Sequence, residues 1–177
     1  MAALITRLRR LIGDASGASE VWTDDELQDA LDQNSTEIRY QRLQELPTIL
    51  AGGGVQFLGF QAEVGNWEDG AELVSAAWNI LTPDTSDLLI GRWTFVTQPT
   101  WPIRVTGFTY DLPGAAVDVL ENWMAREKLS FDAAADGHDF KRSQKFKMLE
   151  ELADKYRGMA KAETGCIVSG DFNAIRR

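Results

Sequence analysis

The apolar pattern of this chain changes its period twice, and this change is the strongest constraint on its fold. Apolar residues recur at helical spacing before residue 50 and again after residue 110. Between these parts, the segments 55–64, 72–81, 90–97 and 103–110 are rich in Val, Ile, Thr, Phe and Trp and are bounded by turn residues, which is typical of strands. The sequence therefore predicts an α+β, mainly α fold. A helical bundle would form from 1–50 and 111–164, with a small antiparallel β-sheet inserted at 51–110 and an extended C-terminal tail at 165–177.

The first helical part contains two predicted helices. Gly13 suits the C-terminal cap of the first helix, and Thr23 and Glu26 form a capping box at the start of the second. The second helix is predicted to run to Pro47. It would carry apolar residues on two faces, so it needs two packing partners, and a neighbouring subunit can be one of them. The two faces hold Leu27, Ala30, Leu31, Asn34 and Ile38 on one side and Tyr40 and Leu43 on the other.

Four of the six tryptophans, Trp67, Trp78, Trp93 and Trp101, lie in the predicted sheet region. Two interpretations of these rings stay open. They can form the core of a compact sheet, or some of them can face a partner, because Trp is enriched among the residues that dominate binding at protein interfaces.

The sequence lacks the common catalytic motifs. It has no Walker loop, dinucleotide-binding fingerprint, HExxH or GxSxG motif. The single cysteine, Cys166, excludes an intrachain disulfide and multi-cysteine zinc sites. Asp136, His138 and Asp139 fit a turn and a helix cap better than a metal or acid–base site. We therefore expect a protein that is not an enzyme and that has no cofactor or metal.

A net charge of −9 argues against a protein that simply coats nucleic acid. The longest apolar run is too short for a membrane span, and the N-terminal arginines lie among apolar residues, unlike the charges of a signal peptide. We therefore expect a soluble protein that does not bind membranes.

The charges are unevenly distributed along the chain. The stretch 14–72 is strongly acidic, whereas 138–177 is net basic, with a cluster at the start of the last helix. Such a chain can associate head to tail, and these contacts form a ring when the rotation closes. The predicted contacts pair Asp25, Asp29 and Asp32 with Lys141, Arg142 or Lys145 of the next subunit. Tyr40, Leu43, Met148 and Leu152 would supply the apolar contacts.

The order of several short motifs resembles a known family. The chain begins with LRRLIGD, a loop and WTDDELQDALD. Its later half continues with GRWTF, VTGFTYDLPGAAVDVLENWMA and FDAAADGHDFKRSQKFKMLEELADKYRGMA. This order is similar to that of the head–tail adaptor (connector or head-completion) proteins of tailed bacteriophages, and it covers most of the chain. The insertion between Gly54 and Tyr110 is larger than in compact all-helical adaptors.

The resemblance implies a structural virion protein without catalysis or cofactor. It would form a ring, commonly a dodecamer, in the neck between capsid and tail, after assembly in the host cytoplasm. The ring would join the portal protein to the tail or to a stopper or tail-terminator protein, and genomic DNA would pass through its bore without sequence-specific binding. C-terminal segments of the family commonly reach the portal, which gives that role here to Ile167, Val168, Phe172, Ile175, Arg176 and Arg177.

Two alternatives stay open. One is a DNA-binding packaging or regulatory subunit that uses the basic start of the last helix. The other is a tail-terminator protein.

Overall fold

A computed structural model describes residues 1–14, 20–49, 53–131 and 139–160 of the chain, without the side chains of 129–131 and 139–143. These residues form four helices and eight strands. The helices are α1 (Ala2–Ile12), α2 (Asp24–Gln33), α3 (Leu112–Phe131) and α4 (Asp139–Arg157). The strands are β1 (Ser35–Arg42), β2 (Gln44–Ile49), β3 (Val55–Gln61), β4 (Glu72–Val74), β5 (Ile80–Leu81), β6 (Thr85–Asp87), β7 (Arg92–Thr94) and β8 (Arg104–Tyr110).

The ends of the first two helices follow from local chemistry. α1 stops at Gly13, which adopts the left-handed conformation with φ 73°. α2 starts with the predicted capping box, in which the Thr23 hydroxyl accepts from the Glu26 amide and the Glu26 carboxylate accepts from the Thr23 amide. The predicted cap of the first helix and the predicted capping box of the second are confirmed.

The four helices enclose one hydrophobic core. The stripes of α1 and α2 pack on α3, and α4 also packs along α3. Tyr156 of α4 also contacts α1, since its hydroxyl donates to the Leu11 carbonyl at 3.0 Å. The buried members of this core include Leu4, Leu8, Ile12, Trp22, Leu27, Leu31, Tyr110, Leu112, Ala116, Val119, Leu120, Trp123, Leu149 and Ala153.

The strands form two four-stranded antiparallel sheets. Sheet A has the order β1-β8-β4-β5 and sheet B has the order β2-β3-β7-β6. The chain passes from sheet A to sheet B at Leu43, between β1 and β2, and again at 82–84, between β5 and β6. These two corners join the edges of the sheets, and residues from both sheets meet in a second core. Its buried members are Leu43, Phe60, Ala62, Trp67, Leu73, Trp93, Phe95, Ile103 and Val105.

The two cores are joined directly through the chain. β8 runs straight into α3, and Tyr110, its last residue, lies in the helical core. At the same junction Asn34 follows α2, and its side-chain amide donates to Asp118 of α3 at 2.5 Å. The helices are therefore held against one end of the paired sheets.

The predicted fold class is wrong, because the molecule is not mainly a helical bundle. The second helix ends at Gln33, and the residues predicted to continue it to Pro47 form β1 and β2. β1 pairs along its length with β8, from Ser35 opposite Tyr110 to Arg42 opposite Arg104. Pairing between such distant segments outweighs the weak helical preference of this stretch. The β part therefore begins at Ser35, earlier than the predicted boundary near 51, and contains two sheets where one was expected.

The later helices lie close to their predicted positions. α3 begins at Leu112, after Asp111. α4 ends at Arg157, earlier than the predicted 163, and Leu149, Ala153 and Tyr156 form its buried stripe. The predicted extended tail at 165–177 lies outside the described residues.

Candidate functional site

Two exposed aromatic rings lie against each other on sheet A. Tyr40 is 53% exposed and Trp78 is 59% exposed, and their ring centroids are 5.1 Å apart in an edge-to-face arrangement. The guanidinium of Arg104 lies over the Trp78 ring at 5.2 Å from its centroid. We call these three residues the aromatic platform.

The backbone holds both rings in an unusual conformation. Tyr40 has φ 54° and Trp78 has φ 62°, in the left-handed region that side chains other than those of Gly, Asn and Asp rarely adopt. Such a position costs on the order of 1–3 kcal/mol, so the surrounding structure must enforce it. Non-glycine residues held this way are concentrated at functional sites, where they aim particular side chains.

The surroundings of Tyr40 explain how its conformation is enforced. β1 has one more residue than β8 between the pairs Ile38–Gly107 and Gln41–Val105, which makes a β-bulge at residues 39 and 40. The Tyr40 amide leaves the ladder and donates to the Thr106 hydroxyl at 3.1 Å. The bulge therefore turns the Tyr40 ring onto the outside of the sheet.

A tight turn presents Trp78 in the same way. The Ser75 amide donates to the Asn79 carbonyl, and the Trp78 amide donates to the Ser75 carbonyl, both at 2.9 Å. The buried Ser75 hydroxyl accepts from the Asn79 amide at 3.2 Å. Three hydrogen bonds thus fix the turn that displays the Trp78 ring.

The neighbouring strands of sheet A place further residues beside Arg104. Arg104 is opposite Arg42 on one side and Val74 on the other, and Val74 is opposite the exposed Ile80. Arg42 is paired with Glu45 at 2.9 Å, and this pair lowers the pKa of the Glu45 carboxyl. Arg104 makes no ion pair with any described residue. It is a cation that stacks on an exposed ring and has no carboxylate partner within the described chain.

The predicted acidic face of α2 is present as a surface stripe. Asp25, Asp29 and Asp32 are all exposed and lie four and three residues apart, so they share one side of the helix. Asp32 accepts from Gln28 at 2.7 Å. Asp25 and Asp29 make no ion pair within the described residues. The other acids of the first turn are already engaged, Asp24 with Arg9 and Glu26 with Arg126.

The predicted basic partners of these acids, Lys141, Arg142 and Lys145, belong to α4. Lys145 is paired with Glu127 of its own chain, and its ammonium lies over the Trp123 ring at 5.1 Å. The side chains of Lys141 and Arg142 are outside the described set. Among the described residues, Arg104 is therefore the cation that lies beside exposed aromatic rings and makes no ion pair. Sequence reasoning did not single it out.

The predicted apolar contacts are divided between surface and interior. Tyr40 and Met148 are exposed, while Leu152 is half-buried against the helical core. Leu43 is fully buried in the core between the sheets, and its amide donates to the Ile103 carbonyl at 3.0 Å. Leu43 therefore belongs to the interior and does not reach a neighbouring subunit. The predicted tail residues Ile167, Val168, Phe172, Ile175, Arg176 and Arg177 lie outside the described residues.

The four tryptophans of the β region divide into two pairs. Trp67 and Trp93 are buried in the core between the sheets with centroids 5.7 Å apart, whereas Trp78 and Trp101 are exposed. The core interpretation is confirmed for Trp67 and Trp93, while contact of the exposed Trp78 and Trp101 with a partner stays a prediction. The sequence signal for an exposed Trp78 was its place next to Asn79 in a short turn, which the strand-like composition around it concealed.

Within the described ranges, no group of three or more His, Cys, Asp or Glu side chains is placed to hold a metal ion. His138 and Cys166 are not among the described residues. None of the described helices is both long and apolar enough to cross a membrane.

The chain matches no protein-family model, no curated protein and no solved structure.

Proposed function

We propose that this protein is a structural subunit of the neck of a tailed bacteriophage, where a ring of its copies joins the capsid portal to the tail or to a stopper protein. The ring performs no catalysis, and DNA passes through its bore. The order of sequence motifs supports the family, and the aromatic platform is the single structural observation that supports assembly.

The platform supports assembly because exposed, immobilised aromatic rings are suited to protein contacts. Tyr and Trp supply large contact areas and, with Arg, are enriched among the residues that dominate binding. Here the two rings are fixed before binding by the bulge and by the turn at 75–79. A partner therefore meets a preorganised surface, and little ordering of these side chains is needed.

The charge of the chain is compatible with a DNA passage. Each phosphate that a protein neutralises adds salt-sensitive affinity, which would slow DNA movement. With a net charge of −9, a ring of these subunits can present a bore that repels phosphates weakly.

Light scattering coupled to size-exclusion chromatography tests the proposal, on the full chain alone and mixed with the portal protein of the same phage. We expect a ring-sized species that co-elutes with the portal, and electron microscopy should show a central channel. A chain that ignores the portal and instead binds duplex DNA at physiological salt would contradict the proposal and favour the DNA-binding alternative.

The predicted role of the tail has its own test. Deleting 166–177 should leave the circular dichroism spectrum and the thermal midpoint unchanged but weaken co-elution with the portal. Unchanged portal attachment would remove the tail from the proposal while leaving the ring.

A further inference from the structure

We propose that the aromatic platform of Tyr40, Trp78 and Arg104 binds the acidic stripe of α2, formed by Asp25, Asp29 and Asp32, on a second copy of this chain. This inference rests on the proposed function, because it names the contact by which subunits would associate. The contact is head to tail, since each copy contributes a different surface to each of its two neighbours.

The first argument is charge complementarity. Arg104 has no carboxylate partner within the described residues of its own chain, and Asp25 and Asp29 have no cationic partner there. Arg42 lies directly opposite Arg104 on the neighbouring strand but is already paired with Glu45, so Arg104 supplies the free guanidinium of the platform. Bringing the two surfaces together would therefore pair charges that the single chain leaves unpaired.

The second argument is the chemistry of the rings. The edge of an aromatic ring carries partial positive charge, and its face carries partial negative charge. The Tyr40–Trp78 pair is edge-to-face with an interplanar angle of 83°, and Arg104 occupies a face of Trp78. In this arrangement an acidic occupant can contact the Arg104 guanidinium and the ring edges, and both attract carboxylates.

The third argument is size. From Tyr40 to Trp78 to Arg104 the platform takes steps of 5.1 Å and 5.2 Å, so it is at most about 10 Å across. A helix rises about 1.5 Å per residue, which places Asp25 and Asp32 about 10 Å apart along α2. The stripe and the platform are therefore of matching length.

Single-stranded nucleic acid is the competing occupant, since bases stack on aromatic rings beside arginine. The described surface favours protein. A backbone-tracking groove needs several unpaired cations, whereas Arg42 is shared with Glu45, and Arg39 beside the platform is paired with Glu37 at 2.7 Å.

The main experiment measures self-association of the full chain by sedimentation equilibrium over a range of concentrations. Arg104→Glu and Asp29→Arg should each weaken association about tenfold or more, because each places like charges together. The double variant should recover most of the loss. The matched control is Arg92→Glu, since Arg92 is an exposed arginine of sheet B without an ion pair among the described residues.

A second pair of variants tests the rings. Trp78→Ala should weaken association about 30-fold, the effect of removing a residue that dominates an interface. Trp101→Ala is its control, because Trp101 is similarly exposed and is not part of the platform. Circular dichroism of each variant shows whether the subunit has folded, and Trp78→Gly provides a second truncation that suits the local backbone.

The outcomes separate this inference from the proposed function. Rings that form with the portal but respond equally to Arg104→Glu and Arg92→Glu would overturn the inference and leave the function standing. Self-association that depends on Arg104 and Asp29, without any binding to the portal, would support the inference and contradict the neck function. The inference would be overturned if the double variant self-associated no better than either single variant. It would also be overturned if Trp78→Ala abolished oligonucleotide binding while self-association stayed unchanged.

Discussion

Replacing Arg9 by methionine should destabilise the protein by about 3 kcal/mol, because it leaves a buried carboxylate without its counter-ion. The Arg9 guanidinium donates to Asp14 at 2.7 Å, to the Trp22 carbonyl at 2.7 Å and to Asp24 at 2.8 Å. The bond to Asp24 is the main reason why the pKa of Arg9 lies above its usual value. One side chain of α1 thereby holds the start of α2.

The partners of Arg9 contribute unequally. The Arg9 and Asp14 side chains are only 7% and 1% exposed, whereas Asp24 is 71% exposed. An exposed pair contributes about 0–1 kcal/mol, while removing one partner of a buried pair costs about 3–5 kcal/mol. Asp14 would keep its bonds from the Val21 and Trp22 amides, at 2.8 Å and 3.3 Å, which places the expected loss at the lower end of that range.

Urea unfolding followed by far-ultraviolet circular dichroism measures this effect. Arg10→Met is the matched control, since Arg10 is the exposed next residue of α1, and it should change stability by less than about 0.5 kcal/mol. Adding Asp14→Asn to Arg9→Met should restore part of the loss, because the single amide oxygen can keep one of the two backbone bonds and the side chain carries no buried charge. Equal midpoints for Arg9→Met and Arg10→Met would refute the reasoning.

Three further perturbations follow from individual side chains. Burial raises the pKa of Tyr110 from 10.0 to about 12. The unfolded chain therefore ionises first, and stability should fall between pH 10 and 12 by up to about 2.7 kcal/mol, at about 1.36 kcal/mol per pKa unit. A stability curve for Tyr110→Phe should be flatter there, and an unchanged slope would contradict this. The bond from Arg126 lowers the pKa of the Glu26 carboxyl, so the stability that Glu26 contributes is complete above its unfolded pKa and is lost as pH falls through its lower folded pKa. Urea midpoints should therefore drop less on acidification for Glu26→Gln than for the native chain, and parallel curves would count against this role. At φ 62°, Trp78→Gly should be more stable than Trp78→Ala by about 1 kcal/mol in thermal unfolding, the reverse of the usual order, and a less stable glycine variant would contradict this.

Sequence reasoning succeeded where structure follows from neighbouring residues. The cap at Gly13 and the capping box of Thr23 and Glu26 depend on a few adjacent positions, and both are present. Helical periodicity likewise predicts a stripe of Phe146, Leu149, Ala153, Tyr156 and Ala160 on the last helix, and Leu149, Ala153 and Tyr156 are buried while Phe146 is exposed.

Sequence reasoning failed where distant segments decide the structure. Ile38 and Leu43 are five residues apart, so a regular strand would place them on opposite faces. The bulge at residues 39 and 40 adds one residue and returns both to the core between the sheets, which hides the alternation that would reveal a strand.

The candidate site was predictable only in part, for the same reason. The acidic stripe of α2 follows from spacing within one helix. Tyr40 was predicted as an interface residue, although on a continuation of that helix which is strand β1 in the structure. Arg104 and Trp78 come together with Tyr40 through the pairing of β8 with β1 and β4. No local pattern encodes that pairing.

The chain order of the two cores also governs when a newly made chain can present the proposed interface. The helical core needs α1 and α4, which stand at opposite ends of the described chain, so at ribosomal rates the first helix waits on the order of 10 seconds for its last partner. The platform requires β8, because Arg104 and the Thr106 hydroxyl that receives Tyr40 both belong to it. A nascent chain shorter than this strand therefore lacks the surface proposed to bind a neighbour. Synthesis would therefore delay the proposed association until β8 has been made, and chains that end before Tyr110 would not present the proposed interface.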